Sequence, residues 1–95
     1  MEVRIDRIDK KRIRFVIKGE DYTLGNLIQE ALLLNDNVET AGYYITHPLS
    51  KEMLFEVRFK KAVEDPIKII KDSVEKLRMD LIEVRKKLDE VKKEL

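Results

Sequence analysis

Three features of this sequence predict an α+β domain of order ββαββα, with an antiparallel four-stranded sheet carrying two helices on one face. Apolar and polar residues alternate through residues 1–18 and again from Met53 to Lys60, which is the period of strands with one buried face. The stretch DYTLGNLIQEALLL at 21–34 repeats its apolar residues at helical spacing. After Pro66 there is no Gly or Pro, and the apolar residues fall at alternating steps of three and four up to Leu95, the pattern of one long helix. Helices set apart from an antiparallel sheet make an α+β layer, and 95 residues fit a single domain over 1–95.

At the start, Val3 and Ile5 share one face with Glu2, Arg4 and Asp6 opposite. Ile13, Phe15 and Ile17 then alternate with Arg12, Arg14 and Lys18. The polar Asp9-Lys10-Lys11 between the two runs reads as the turn of a hairpin. Val16 is the one apolar residue on the polar face. Gly19, Glu20 and Asp21 end the hairpin. Thr23 is the expected N-cap of the first helix and Asp21 the competing one. Leu24, Leu27, Ile28, Ala31 and Leu32 form the apolar stripe of that helix, and Asn35-Asp36-Asn37 supplies the turn after it. Residues 38–45 read as a third strand, with Gly42 marking a bulge or a close backbone approach. His47-Pro48 leads out of it. Met53, Phe55, Val57 and Phe59 give the fourth strand its apolar face. Asp65-Pro66 pairs an acidic cap with proline at the first helical position.

Ile67, Ile70, Val74, Leu77, Leu81, Val84, Leu88, Val91 and Leu95 keep an a/d heptad spacing without a slip. The first part of such a stripe can pack on the domain's own sheet. A helix of this length spans about 45 Å, whereas a domain of this size is about 30–35 Å across. The last turns therefore overhang the sheet and call for a partner helix. With Ile67 as a, the e positions Lys71, Arg78, Arg85 and Lys92 are all basic, and the g positions Ser73, Asp80, Lys87 and Glu94 are mixed. Neither a parallel nor an antiparallel self-pair matches these rows well, so a different chain with acidic flanks fits better.

Twenty basic and nineteen acidic residues leave a net charge of +1, which gives no overall basic excess for nucleic acid. There is no Cys and a single His, so disulfides and thiolate metal sites are excluded. The first twenty residues hold no apolar signal-peptide core, and no apolar run reaches membrane-spanning length. A cytoplasmic protein with no membrane contact is the expectation. His47 has no nucleophile or carboxylate partner in any recognisable constellation. Tyr43 and Tyr44 could stack on bases, but core or interface roles fit better in the absence of a basic sheet face. Glu20 and Asp21 suit a helix start rather than a cation. No Gly-rich phosphate loop, nucleophile elbow or metal box is present, so no catalytic, cofactor-binding or metal residue is assigned.

Gly25 and Asn26 remain to be explained, because Gly costs about 1 kcal/mol against Ala within a helix. The pattern alone fits two readings equally: a tolerated weakness in the first turn, or a place where another element approaches the backbone. GEDYTLGNLIQEAL at 19–32, followed by VETAGYYITHPL at 38–49, resembles the family of small assembly subunits of archaeal RNA polymerase, subunit L, whose relatives are similar to the bacterial α N-terminal domain. The shared pattern is Thr-Leu-Gly-Asn-Leu, then Ala-Gly-Tyr and His-Pro-Leu. Tyr22 stands where the family commonly has His, and Thr40 where it often has an aromatic.

The resemblance covers the whole chain and implies a role. Such a subunit pairs with the larger, α-like D-type subunit, helix against helix, and the heterodimer nucleates assembly of the catalytic subunits, the largest among them. Nucleotidyl transfer then belongs to those subunits, and DNA is met only through the complex. On this reading Gly25 and Asn26 lie where helices cross closely. Leu24, Leu27, Ile28, Ala31 and Leu32, with the stripe Val74, Leu77, Leu81, Val84 and Leu88, form the dimer interface. The rival classes are a free-standing homodimeric helix zipper and a small nucleic-acid-binding module.

Overall fold

The structure, a computed structural model, describes residues 1–95 apart from the Pro48 side chain. The chain runs β1 (Glu2–Ile8), β2 (Arg12–Lys18), α1 (Tyr22–Leu33), β3 (Val38–His47), a single 3₁₀ turn (Pro48–Ser50), β4 (Glu52–Phe59) and α2 (Pro66–Glu94). This is the expected ββαββα order. The four strands form one antiparallel sheet in the order β1-β2-β4-β3. The crossover from β2 through α1 to β3 leaves a gap in the sheet that β4 fills.

The alternation read from the sequence sets the two faces. Cross-strand register brings Ile5, Phe15, Phe55 and Tyr43 into one inner row, and Val3, Ile17, Met53 and Ile45 into the next. Phe15, Phe55 and Tyr43 stack in sequence, with ring centroids 5.0 and 5.1 Å apart. Offset ring pairs of this kind add to the burial of apolar area. Ile28 and Leu32 of α1 close the core over Met53, Phe55, Val57 and Phe59.

The strand β1 departs from strict alternation. Its register shifts between Ile5 and Arg7, so Ile8 returns to the inner side opposite Ile13. A single extra residue in one strand does this. Gly42, by contrast, sits in regular register opposite Glu56, and a Cβ there would meet nothing within 4 Å. The bulge or close approach expected at Gly42 is therefore not found within the chain. The irregularities of β3 lie instead between Val38 and Thr40 and between Ile45 and His47.

The α1 cap is Asp21, whose carboxylate accepts the Thr23 N–H at 3.0 Å. Thr23, the expected cap, is inside the helix. Asp is the stronger N-cap of the two, and with Asp21 as cap the helix starts two residues earlier than a Thr23 cap would set it. Asn35 makes the turn after α1 by accepting the Asn37 N–H on its side chain. At α2 the cap is as expected: Asp65 accepts the Lys68 N–H at 3.1 Å, with Pro66 at the first helical position.

The placement of α2 differs from the expectation in one respect. Its docking side is Pro66, Ile69, Ile70 and Ser73, which takes in Ile70 of the heptad stripe but otherwise lies beside it. Ser73, only 5% exposed, donates to the Ile69 carbonyl and accepts from Asn35 Nδ2. A small residue there lets α2 lie close to the end of α1. Because that contact rotates the stripe away from the sheet, Ile67 and Val74 stay about 40% exposed even in the first turns.

Candidate functional site

An entirely apolar opening follows from this rotation. The inner side of β1 is left open, because α1 lies over β3 and β4 and α2 meets the sheet chiefly at β2. Val3, Ile5 and Ile8 are left exposed, Val3 to 60%. Val3 and Ile5 face Ile67, Ile70, Val74 and Leu77 across a groove of ≈ 350 Å³. Its floor is Ile13, Phe15 and Ile17 of β2, and Leu24 and Ile28 of α1 close its end. Among the described residues, Lys71 is the only one lining it with an ionisable side chain.

Beyond the groove the stripe continues outward. The molecule is 51 Å in its longest dimension, and every residue of α2 from Glu83 onward is exposed. Leu81, Val84, Leu88 and Val91 face solvent, Leu88 to 64%. Groove and stripe together form one apolar surface along β1 and α2. Patches of this extent on a single chain mark a protein interface.

The expected interface residues divide into two groups. Leu24, Leu27, Ala31, Val74, Leu77, Leu81, Val84 and Leu88 retain exposed or half-exposed surface. Gly25, Ile28 and Leu32 belong to the chain's own interior, and Leu32 is fully buried. Gly25 explains the weak first turn of α1. A Cβ at this position would lie 2.8 Å from the Tyr43 ring and 2.9 Å from Met53 Sδ. The close approach is that of the molecule's own strands β3 and β4, where a crossing helix was expected. Asn26 serves the same contact: its Oδ1 accepts the Tyr43 hydroxyl at 2.6 Å. Ile28 lies under the groove, with one edge lining it.

The outer face of the sheet carries a feature that the sequence pattern did not suggest. Arg12, Arg14 and Arg58 converge on the single carboxylate of Glu56 at 3.4, 3.6 and 3.5 Å. Arg4 reaches Glu52 at 3.4 Å. The sheet does therefore have an arginine-rich face, although the chain as a whole is nearly neutral. The signal lies in the polar positions of the strands, where Arg4, Arg12, Arg14 and Arg58 alternate with the apolar ones. Val16, the apolar exception, is buried among them, between Arg4 and Leu54 in register.

His47 is exposed at the end of β3, and its carbonyl accepts the Ser50 hydroxyl. Among the described residues no group of three or more His, Asp or Glu side chains could hold a metal ion. Among the same residues no helix is long and apolar enough to cross a membrane.

A profile of the RNA polymerase Rpb3/Rpb11 dimerisation domain matches residues 12–87. This chain belongs to that family. The match takes in β2, α1, β3, β4 and most of α2, including most of the groove and the first half of the overhanging stripe. Curated relatives include DNA-directed RNA polymerase subunit Rpo11 of Archaeoglobus fulgidus, 40% identical over 77 residues, covering 81% of this chain and 87% of that one. Subunit RPAC2 of RNA polymerases I and III from Danio rerio is 36% identical over 61 residues, 64% of this chain and 54% of that protein. The crystal structure of RNA polymerase subunit L from Thermoplasma acidophilum superposes with a TM-score of 0.78 at 28% identity, covering 94% of this chain and 86% of that one. The family description and the open apolar surface agree: this is a dimerisation fold with a broad apolar surface uncovered in the single chain.

Proposed function

We propose that this chain is a non-catalytic assembly subunit of a DNA-directed RNA polymerase. It heterodimerises with the larger, α-like D-type subunit through its helices, and the pair scaffolds the catalytic subunits for transcription. The observation that carries this reading is the apolar groove between β1 and α2, continuous with the exposed stripe of α2. It offers a partner helix a place to lie across the sheet and a second helix a seam to follow. Leu24, Val74, Leu77, Leu81, Val84 and Leu88 supply that surface. Leu27 and Ala31 border it from α1. Gly25, Asn26, Ile28 and Leu32 support it from beneath by fixing α1 to the sheet. DNA is reached only through the assembled enzyme, and no membrane is involved.

A different chain suits the seam better than a second copy. The basic e row, Lys71, Arg78, Arg85 and Lys92, would confront itself in an antiparallel self-pair, and such mismatches set partner choice more than affinity. The test is co-expression with the D-type subunit of the same genome, followed by size exclusion with mass detection. A one-to-one complex is expected, abolished by Leu81→Asp in a chain that still folds. An unchanged peak beside a folded D-type subunit overturns the reading.

A further inference from the structure

The strand order leaves two free edges, at β1 and β3, and the chain protects only one of them. β1 carries Glu2, Arg4, Asp6 and Arg7 and a register shift between Ile5 and Arg7. Charge and bulges are the usual means of keeping other strands from pairing with an edge. β3 is ten residues long, and Glu39 is its only acidic residue, with no Lys or Arg. Its register from Thr40 to Ile45 is unbroken. Among the described residues, no backbone hydrogen bond outside the sheet ladder involves this stretch. Tyr44 and Ile45 are 60% and 43% exposed.

Beside this edge the outer face of the sheet is recessed. Gly42 forms the floor, with open space where a Cβ would stand, and Thr40, Tyr44, Leu54, Glu56 and Arg58 form the rim. The three guanidiniums around Glu56 share one carboxylate, an excess of two positive charges. The Nε atoms of Arg12 and Arg14 are buried without a partner. Thr40 pairs with Arg58 and Gly42 with Glu56, so at Gly42 no side chain of β3 stands between the Glu56–arginine cluster and a residue lying beyond the edge.

We propose that the β3 edge is a docking site for an extended acidic segment of another protein. The segment pairs with the β3 backbone as a fifth strand. Its outward side chain at the level of Thr40 is a carboxylate that meets Arg58, with Arg12 behind it in register. At the level of Tyr44 and Leu54 the outward side chain is apolar, and its inward side chains lie along Ile45. Backbone pairing supplies the affinity in this mode and alternate side chains the specificity. A nucleic acid suits the surface less well, because it has no peptide N–H and C=O groups to pair with the free backbone of β3. A second copy of this chain would bring only Glu39 to the arginines. The edge lies across the sheet from the groove, so this site stands independently of the heterodimer reading.

The test uses the full chain and a fluorescein-labelled ten-residue peptide alternating Glu and Val, with a Lys and Val counterpart as control. Anisotropy gives affinity, and amide hydrogen exchange gives location. The Glu peptide is expected to bind about tenfold or more tighter than the Lys peptide at low salt. Exchange should slow at Thr40–Ile45 and not at β1. Arg58→Glu and Ile45→Lys, both on exposed side chains, are each expected to weaken binding by about tenfold with the fold intact by circular dichroism. The proposal is overturned by equal affinity for the two peptides, by protection only along β1 and α2, or by undiminished binding to both variants. Tighter binding of a single-stranded oligonucleotide than of the Glu peptide overturns it in favour of nucleic acid. Protection of β3 without peptide, at twice the monomer mass, overturns it in favour of a second copy.

Discussion

Gly25→Ala separates two accounts of the same residue by sign. Helix propensity alone favours Ala by about 1 kcal/mol, so if the position merely tolerated glycine the substitution would stabilise the chain. The structure predicts the reverse. The new methyl would lie 2.8 Å from Tyr43 Cζ and 2.9 Å from Met53 Sδ, both closer than real contacts allow. Neither neighbour yields easily. The Tyr43 ring stacks on Phe55 at 5.1 Å, and its hydroxyl is within bonding distance of the Tyr22 carbonyl and Asn26 Oδ1. Met53 is almost completely buried beneath. Overpacking of this kind costs about 1–3 kcal/mol, and loss of the Tyr43–Asn26 bond adds about 1 kcal/mol. Set against the propensity gain, the net effect is a destabilisation of about 1–3 kcal/mol. Urea unfolding measures it as a lower midpoint at unchanged slope. In a Tyr43→Leu background the penalty should shrink, since half of the clash is gone, and the difference is the coupling between the two sites. A raised midpoint for Gly25→Ala refutes the packing account. An unchanged midpoint with lost binding to the larger subunit would return Gly25 to a helix crossing between subunits.

Other outcomes are equally specific. Leu88→Lys leaves the urea midpoint of the isolated chain within about 0.5 kcal/mol, because the side chain is already in solvent. It weakens heterodimer formation by about tenfold or more in a titration with mass detection, and equal affinity would remove the outer stripe from the interface. Asp65→Ala takes the acceptor from the Lys68 N–H and lowers stability by about 0.5–2 kcal/mol in urea, a loss that Asp65→Asn largely avoids. Asp9 titrates below the ordinary carboxylate value, chiefly because it accepts the Lys11 N–H at the hairpin turn. A folded-state value below the unfolded one means that its contribution is present above the unfolded pKa and is lost as pH falls through the folded one. Carboxyl NMR should find the Asp9 midpoint depressed in the wild type and restored to the ordinary value in urea.

Much of the architecture was legible because periodicity reports burial directly. The hairpin, both helices and the last strand stand at the expected places, since each buries one face against a single neighbouring layer. The sequence is less legible where two layers compete for one residue. Gly25 and Leu32 read as interface because a helical stripe does not say which of its members the chain's own sheet takes. Ser73 falls in the outer g row by its spacing, yet it is the point at which α2 settles against α1 and Asn35. That one contact turns the heptad stripe outward, and no local pattern announces it. The slip in β1 was visible as Ile5 and Ile8 three apart, but an isolated hairpin gives no reason to prefer a bulge to a strand end. The arginine cluster is hidden from a reading along the chain because register between β2 and β4, which lie far apart in sequence, assembles it.

The two exposed surfaces lead to different expectations about how the single chain behaves. The groove and the stripe of α2 are apolar, and fully burying a side chain such as Leu81, Val84, Leu88 or Val91 is worth about 1.5–3 kcal/mol. Each is roughly half exposed here, so covering the four recovers several kcal/mol before the groove is counted. That is of the same order as the whole stability of a domain of this size. A chain with so much to gain cannot have a stability independent of its partner. Its unfolding midpoint rises with the concentration of whatever covers α2. Charge then decides what does so. The basic e row makes a second copy a poor cover and an acidic-flanked helix a good one, at a fraction of a kcal/mol for each exposed pair. Apolar area therefore makes association necessary, while the small electrostatic terms choose the partner. The wild-type midpoint should accordingly rise steeply when the larger subunit is added and only weakly when the chain itself is concentrated. Equal shifts in the two titrations would mean that the stripe does not discriminate, and would remove it as the basis of the proposed heterodimer.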